Sequence, residues 1–281
     1  MVKEVLTCCA VVALGYPQAP GVASPPSLGC AAMEDFLRTA TVGAQRELPV
    51  GVTLPTRATL DDGTLKHDAS IQVTDVRKPV FEMTRSTELN FRDSWKFNVA
   101  GYELAKRLQL NMVPPYVERK VGGTSASVSW WIEDAMMERD RSRKKIRTPD
   151  PDRWNAQMYA VRVFHQLIHD TDPNLTNLLI DKDWRIWMID FTRAFRWTKD
   201  LRSQKSLVMV DRRLLARLRE LTLDTLQQTL GRWLSKPEIE AVLARRDLIV
   251  RHFDAAVLAK GEAAVLYDLP RTTEACGTGL R

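Results

Sequence analysis

Residues 169–195 read HDTDPNLTNLLIDKDWRIWMIDFTRAF. Asp172 and Asn177 stand five positions apart, and Asp190 follows eighteen after Asp172. Between them, Leu178-Leu179-Ile180 and Trp184–Ile189 read as two short strands joined by Asp181-Lys182-Asp183. A hairpin of that length turns the chain back on itself. It predicts that Asp190 lies near Asn177, with Asp172 a short loop away. Oxygen ligands from Asn177 and Asp190 suit Mg²⁺, which takes one or two protein oxygens and completes its shell with phosphate and water. Asp172 is then a carboxylate able to accept or orient the proton of a hydroxyl nucleophile. Phosphoryl transfer needs such a set, because it rests on positioning and charge neutralisation.

Other chemistries compete for the same residues. Asp170, Asp172, Asn174, Thr176 and Asp181 fall at positions 1, 3, 5, 7 and 12 of a calcium-loop spacing. Position 6, however, is Leu175 where a sharp turn wants Gly, and a strand follows where a helix belongs. His165 and His169 have zinc-binding spacing on a helix, but Gln166-Leu167-Ile168 between them carries no Glu. Packing and capping are the expectation for these two. Arg193 has two readings, a phosphate contact or an ion pair with a nearby acid.

The chain around this segment has two characters. Residues 33–42 pattern as a short helix, and Gly51 to about Val76 is strand-like, with Asp61-Asp62-Gly63 as a hairpin turn between Arg57–Leu60 and His67–Val73. An amphipathic helix is expected over Asp93–Leu110, stopped by Val113-Pro114-Pro115. Strands follow at Tyr116–Val121 and Ser127–Ile132, and the basic run Arg139–Arg147 reads as a solvated loop. Beyond it the chain turns helical: Trp154–Ile168, Leu214–Leu230, and Ile239–Val257 behind a Ser235–Glu238 capping box. The layout is α+β and two-lobed.

HDTDPNLTNLLI and IDFTRAF resemble the catalytic loop and metal motif of the protein-kinase-like superfamily. They are similar to the phosphatidylinositol 3-/4-kinase-like branch, especially type II phosphatidylinositol 4-kinases and bacterial relatives of unassigned function, whose patterns look like "NTDRxxxNxLI" and "IDxxxAF". The likeness runs, more weakly, over about residues 45–260. It implies a strand-rich N-lobe with one helix (31–133), a helical C-lobe with a catalytic hairpin (134–265), and ATP with Mg²⁺ as cofactors. Asp172 becomes the catalytic aspartate, and Asn177 and Asp190 the metal ligands. The chain departs from the family where a strand Lys and a helix Glu belong: Gln72 and Asn98 hold those positions, so a charged pair has become an amide pair. Lys66, Lys78 and Glu103 are the neighbouring residues of the family's types. Gln72 is expected to contact phosphate, and the Val128–Glu133 strand to lead Glu133 towards the adenine-binding hinge. The resemblance implies an ATP- and Mg²⁺-dependent phosphotransferase acting on a hydroxyl acceptor. A pseudokinase-type regulatory module with a protein partner is the alternative.

Composition limits the rest. With 281 residues, 44% of them hydrophobic, the chain can build a large core. Its formal charge of +6 fits an anionic ligand and carries no specific nucleic-acid signal. The four cysteines, Cys8, Cys9, Cys30 and Cys276, lie near the ends and supply no metal site to the body of the fold. Lys3, the apolar run Val5–Leu14 and Ala13-Leu14-Gly15 pattern as a secretory signal, followed by a Pro/Gly/Ser-rich linker to residue 30; export is expected if residues 1–15 are such a signal, and a cytoplasmic location otherwise. That run is too short to cross a bilayer. Residues 266–281 read as a tail.

Overall fold

The computed structural model describes residues 28–48, 55–83 and 86–270. The expected signal segment, most of the linker, the strand at 52–54 and the last residues of the tail lie outside them.

The first lobe is built on a five-stranded antiparallel sheet. Helix α1 (Cys30–Thr39) leads into β1 (Thr41–Glu47), β2 (Thr56–Asp61) and β3 (Lys66–Gln72). The expected helix at 33–42 thus sits three residues earlier, because Thr41 and Val42 pair with Asp61 and Leu60 of β2. The predicted turn closes β2 on β3: Gly63 has φ +89°, and Asp61 Oδ1 accepts its N–H at 2.8 Å. The chain then makes a hairpin absent from the sequence reading, β4 (Asp75–Met83) and β5 (Ser86–Ser94), which pair only with each other. Asp93 belongs to β5, so α2 (Trp95–Arg107) starts two residues later than expected. Ser94 caps it by accepting the Lys96 N–H. Strands β6 (Tyr116–Val121) and β7 (Thr124–Trp130) complete the sheet in the order β1-β2-β3-β7-β6.

Helix α1 contributes Phe36 and Leu37 to a core with Leu60, Ile71, Val117 and Val128. Its buried Glu34 receives the Tyr102 hydroxyl at 2.7 Å and Lys106 Nζ at 2.9 Å, which ties α1 to α2.

In the second lobe, β8 (Met136–Met137) runs into α3 (Glu138–Arg143), then α4 (Pro151–Ile168), the hairpin β9 (Leu178–Ile180) and β10 (Ile186–Met188), α5 (Arg212–Arg219), α6 (Leu223–Leu230) and α7 (Lys236–Lys260). Two expectations are corrected. Part of the basic run is helical, held by a bidentate Arg141–Glu138 pair at 2.5 and 2.7 Å. The single helix expected over 214–230 is two, because Thr222 caps a new start at Leu223. The Ser235–Glu238 capping box forms as read, with Ser235 N–H donating to Glu238 Oε2 at 2.7 Å. One core joins the lobes: Phe97 and Tyr102 of α2 pack with Phe164 of α4 and with Phe191 and Phe195. Each such burial contributes about 1.5–3 kcal/mol.

Candidate functional site

The site begins where α4 ends. His169 terminates the helix in the left-handed region, φ 49°, and its Nδ1 lies 3.1 Å from the Asp200 carbonyl. His165, one turn earlier, is buried 3.4 Å from Asp170, so the two histidines pack and cap. Asp170 is only 2% exposed, and its Oδ1 accepts the Asp172 N–H at 2.9 Å. That bond fixes the backbone of Asp172. The Asp172 carbonyl then accepts Asn174 N–H at 2.8 Å and Asn177 Nδ2 at 3.3 Å, which tightens the loop into its turn.

The hairpin closes as its length requires. Ile180 pairs with Ile186 and Leu178 with Met188, and the Ile189 N–H donates to the Asn177 carbonyl at 2.9 Å. Asp190, the next residue, has φ +57° and accepts the Thr192 hydroxyl at 3.0 Å. Its own N–H points to the Tyr116 hydroxyl at 3.4 Å. The structure therefore brings Asn177 and Asp190 together beside the Asp172 loop.

Gln72 and Asn98 meet as well. Asn98 Nδ2 donates to Gln72 Oε1 at 2.7 Å, and Asn98 Oδ1 accepts the Phe191 N–H at 2.7 Å. Helix α2 thus links β3 to the segment carrying Asp190. Gly101 lets the helix come this close, since a Cβ there would lie 2.5 Å from Phe191 Cδ2. Lys66, Lys78 and Glu103 serve elsewhere: Lys66 pairs with Asp61 at 3.0 Å, Lys78 lies over the Phe81 ring, and Glu103 pairs with Lys106 at 3.1 Å.

A cleft of about 340 Å³ lies between the lobes. Trp131, Ile132, Met137, Leu179 and Ile189 give it apolar walls, Ser70, Ser127 and Ser129 place hydroxyls along it, and Gln72, Asn177 and Asp190 stand at its polar end. No Lys or Arg lines it among the described residues. Glu133 is not on this wall, a correction to its expected hinge position. Strand β7 ends at Trp130, and Glu133 turns outward to Arg57 at 3.6 Å, leaving Trp131 and Ile132 facing the cleft.

The electrostatics favour a cation. Burial pushes the Asp190 carboxyl up to about 6, against the Thr192 hydrogen bond, and the Asp93 and Asp170 carboxylates push the same way. Burial likewise raises Asp170 to about 6. Asp93, at the end of β5, is raised by burial, and its Oδ1 is enclosed without a hydrogen-bond partner. Arg193 and Arg196 offset part of the charge at Asp93, and no cluster of three acidic, His or Cys side chains among the described residues forms a metal cage, so a hard cation here would rest on Asn177 and Asp190 with ligand oxygens completing its shell.

The calcium-loop reading is corrected by the same geometry. Asn174 Oδ1 accepts the Thr176 N–H, while Asp181 turns into the hairpin tip, where its Oδ1 accepts the N–H groups of Asp183 and Arg185 at 2.9 Å. Its oxygens are not gathered with those of Asp170 and Asp172. Arg193 forms an ion pair with Glu88 at 2.6 Å. Sequence reasoning missed Asp93, Tyr116 and Glu88. For two of them a signal existed, since Thr87-Glu-Leu-Asn-Phe-Arg92 alternates with the period of a strand that would carry Glu88 and Asp93.

No protein-family model matches this chain, and no curated protein matches it in sequence. Solved structures do match. The chain is similar to hydra Fam20, solved with sugar, at TM-score 0.60 and 11% identity, covering 85% of this chain and 92% of that one. It is similar to a Golgi casein kinase at TM-score 0.61 and 12% identity, covering 87% and 80%. The Helicobacter pylori proinflammatory kinase CtkA matches at TM-score 0.50 and 8% identity, over 79% and 98%. The chain has a protein-kinase-like fold.

Proposed function

We propose that this protein is a phosphotransferase that uses ATP and Mg²⁺ to phosphorylate a hydroxyl acceptor. One observation carries the reading: the hairpin sets Asn177 and Asp190 side by side at the polar end of an apolar cleft, with Asp172 held on the adjoining turn. In this reading the cleft takes the adenine between Trp131, Ile132 and Leu179. Asn177 and Asp190 hold the metal, which when bound neutralises phosphate charge. Gln72 donates to a phosphate oxygen. Asp172 accepts the acceptor's hydroxyl proton as that oxygen bonds to the γ-phosphorus, and the bond to the β–γ bridging oxygen breaks to release ADP. The motifs around Asp172 and Asp190 support placement in the phosphatidylinositol 3-/4-kinase-like branch. A division near residue 133 into two lobes follows from the same reading. The pattern of Lys3, the apolar run Val5–Leu14 and Ala13-Leu14-Gly15 supports an exported location.

A second reading, a pseudokinase-type regulatory module that binds nucleotide weakly or not at all and acts on a protein partner, draws on the neutral Gln72–Asn98 pair and the absence of Lys or Arg lining the cleft among the described residues. Calorimetric titration of ATP with and without Mg²⁺, on the wild type and Asp190→Ala, separates the two. Metal-dependent binding lost in Asp190→Ala, with turnover lost in Asp172→Ala, is expected. Turnover surviving both substitutions would sink the assignment.

A further inference from the structure

A second pocket, of about 270 Å³, opens beside Thr171, the residue before Asp172. Arg77, Asn90 and Arg92 of the β4–β5 hairpin form one wall, and Arg196 and Trp197 another. The arginines here outnumber their acids. Glu88 and Glu238 also line the pocket, but Arg92 pairs with Glu238 and Arg196 with Glu88 at 2.6 Å, which leaves Arg77 as the third arginine of the lining. Arg77 makes no hydrogen bond or ion pair with the described residues; its guanidinium lies 5.7 Å from the centre of the Trp197 ring, itself 43% exposed. The local field shows at His169 on the same wall. Burial lowers that imidazole to about 4, and Arg245, Arg202 and Arg196 lower it further against the Asp200 carbonyl.

A concave, positively biased pocket with an uncommitted guanidinium and an exposed indole recognises an anion attached to a compact body. Its lining includes Thr171, the residue before Asp172, which sets the pocket next to the Asp172 turn. We propose that this pocket is the acceptor subsite, and that it takes a compact hydroxylated molecule bearing a phosphate or carboxylate group. The assignment as acceptor rests on the phosphotransfer reading above; the ligand class rests on the pocket alone.

The test is calorimetric titration of the full chain, without nucleotide, with glycerol 3-phosphate, glycerate, glycerol and inorganic phosphate. At least one of the two anionic polyols is expected to bind about tenfold more tightly than glycerol, and more tightly than inorganic phosphate. Whichever of them binds identifies the anionic group. Arg77→Gln and Trp197→Ala, both surface changes, are each expected to reduce that preference severalfold with the unfolding midpoint unchanged. Indifference to the anionic group overturns the proposal, as does a preference that survives both substitutions, or inorganic phosphate binding as tightly as the better of the two anionic polyols. If selective binding stands while Mg²⁺-ATP fails to bind, the phosphotransfer reading falls and the ligand class stands.

Discussion

Asn98 donates its amide N–H to the Gln72 carbonyl oxygen at 2.7 Å, and the pair is buried at the junction of β3 and α2. The same Asn98 receives the Phe191 N–H, so one neutral amide bridges the sheet and the Asp190 segment. Changing Gln72→Lys alone would enclose an ammonium with no acid opposite, costing about 3 kcal/mol. With Asn98→Glu the pair becomes ionic, and a carboxylate can still accept the Phe191 N–H. The double variant is expected to recover stability and to bind Mg²⁺-ATP about tenfold more tightly than wild type, through a charged contact to phosphate. Calorimetry on the folded double variant checks this; unchanged affinity would mean that position 72 does not face the phosphates.

Gly101 tests how closely α2 must approach the site. A methyl group there meets the Phe191 ring at 2.5 Å, and that ring is fully buried and packed edge-on against Phe164. The ring cannot retreat without moving the backbone of Asp190 beside it. Gly101→Ala is expected to cost about 1–3 kcal/mol in chemical unfolding and to weaken Mg²⁺-dependent nucleotide binding. Unaltered stability and binding together would show that the contact yields freely.

The hairpin carrying Leu178–Met188 was legible because its strand lengths and turn residues agree on one geometry, and that geometry alone brings Asn177 to Ile189. The β4–β5 hairpin was not. Pro79 interrupts the first strand's pattern, Val80 and Leu89 stay exposed at 50% and 69%, and the buried positions are confined to Phe91, Asp93 and Ser94 at the end of β5, too few to mark a face over the whole hairpin. Its anchors are ion pairs to residues far along the chain, Glu88 to Arg193 and Arg92 to Glu238, which local patterning cannot register. Glu133 was misplaced for a related reason. Where β7 ends is set by pairing with β3, which stops at Ala69↔Trp130. The Gln72–Asn98 juxtaposition could be suggested from sequence only through the family resemblance, since nothing local ties a strand residue to one on the next helix.

Arg245 on α7 is fully buried and meets carbonyls rather than an acid. Its Nε donates to Leu167 O at 2.8 Å and its Nη1 to Arg196 O at 3.0 Å and to Thr198 O. It thereby joins the end of α4 to the segment after Asp190. Burial lowers its guanidinium to about 9. Replacement by Met removes an ill-solvated charge but strands three carbonyls, and the second effect dominates. Arg245→Met is expected to lose about 2–4 kcal/mol in urea unfolding. A loss below about 0.5 kcal/mol would indicate that water replaces the guanidinium at those carbonyls.

His165 gives the stability a pH dependence that can be isolated. It is buried beside Asp170, and burial, reinforced by Arg202, lowers its imidazole to about 4. The unfolded chain protonates this histidine near 6.5, so acid favours unfolding. The contribution is absent above about pH 7, grows as pH falls through 6.5, and levels off below about 4. Between pH 7 and pH 5 it amounts to about 2 kcal/mol lost. Asp170 works in the opposite sense over an overlapping range. Its raised pKa means that the folded form gains a proton first, which adds stability on acidification between about 6 and 4. Wild-type data alone would blend the two. His165→Gln keeps the Asp170 contribution and removes the imidazole. The variant is therefore expected to lose about 2 kcal/mol less than wild type when urea unfolding at pH 7 is compared with pH 5. Parallel losses in both proteins would place the His165 pKa near its ordinary value and would mean that solvent reaches the ring.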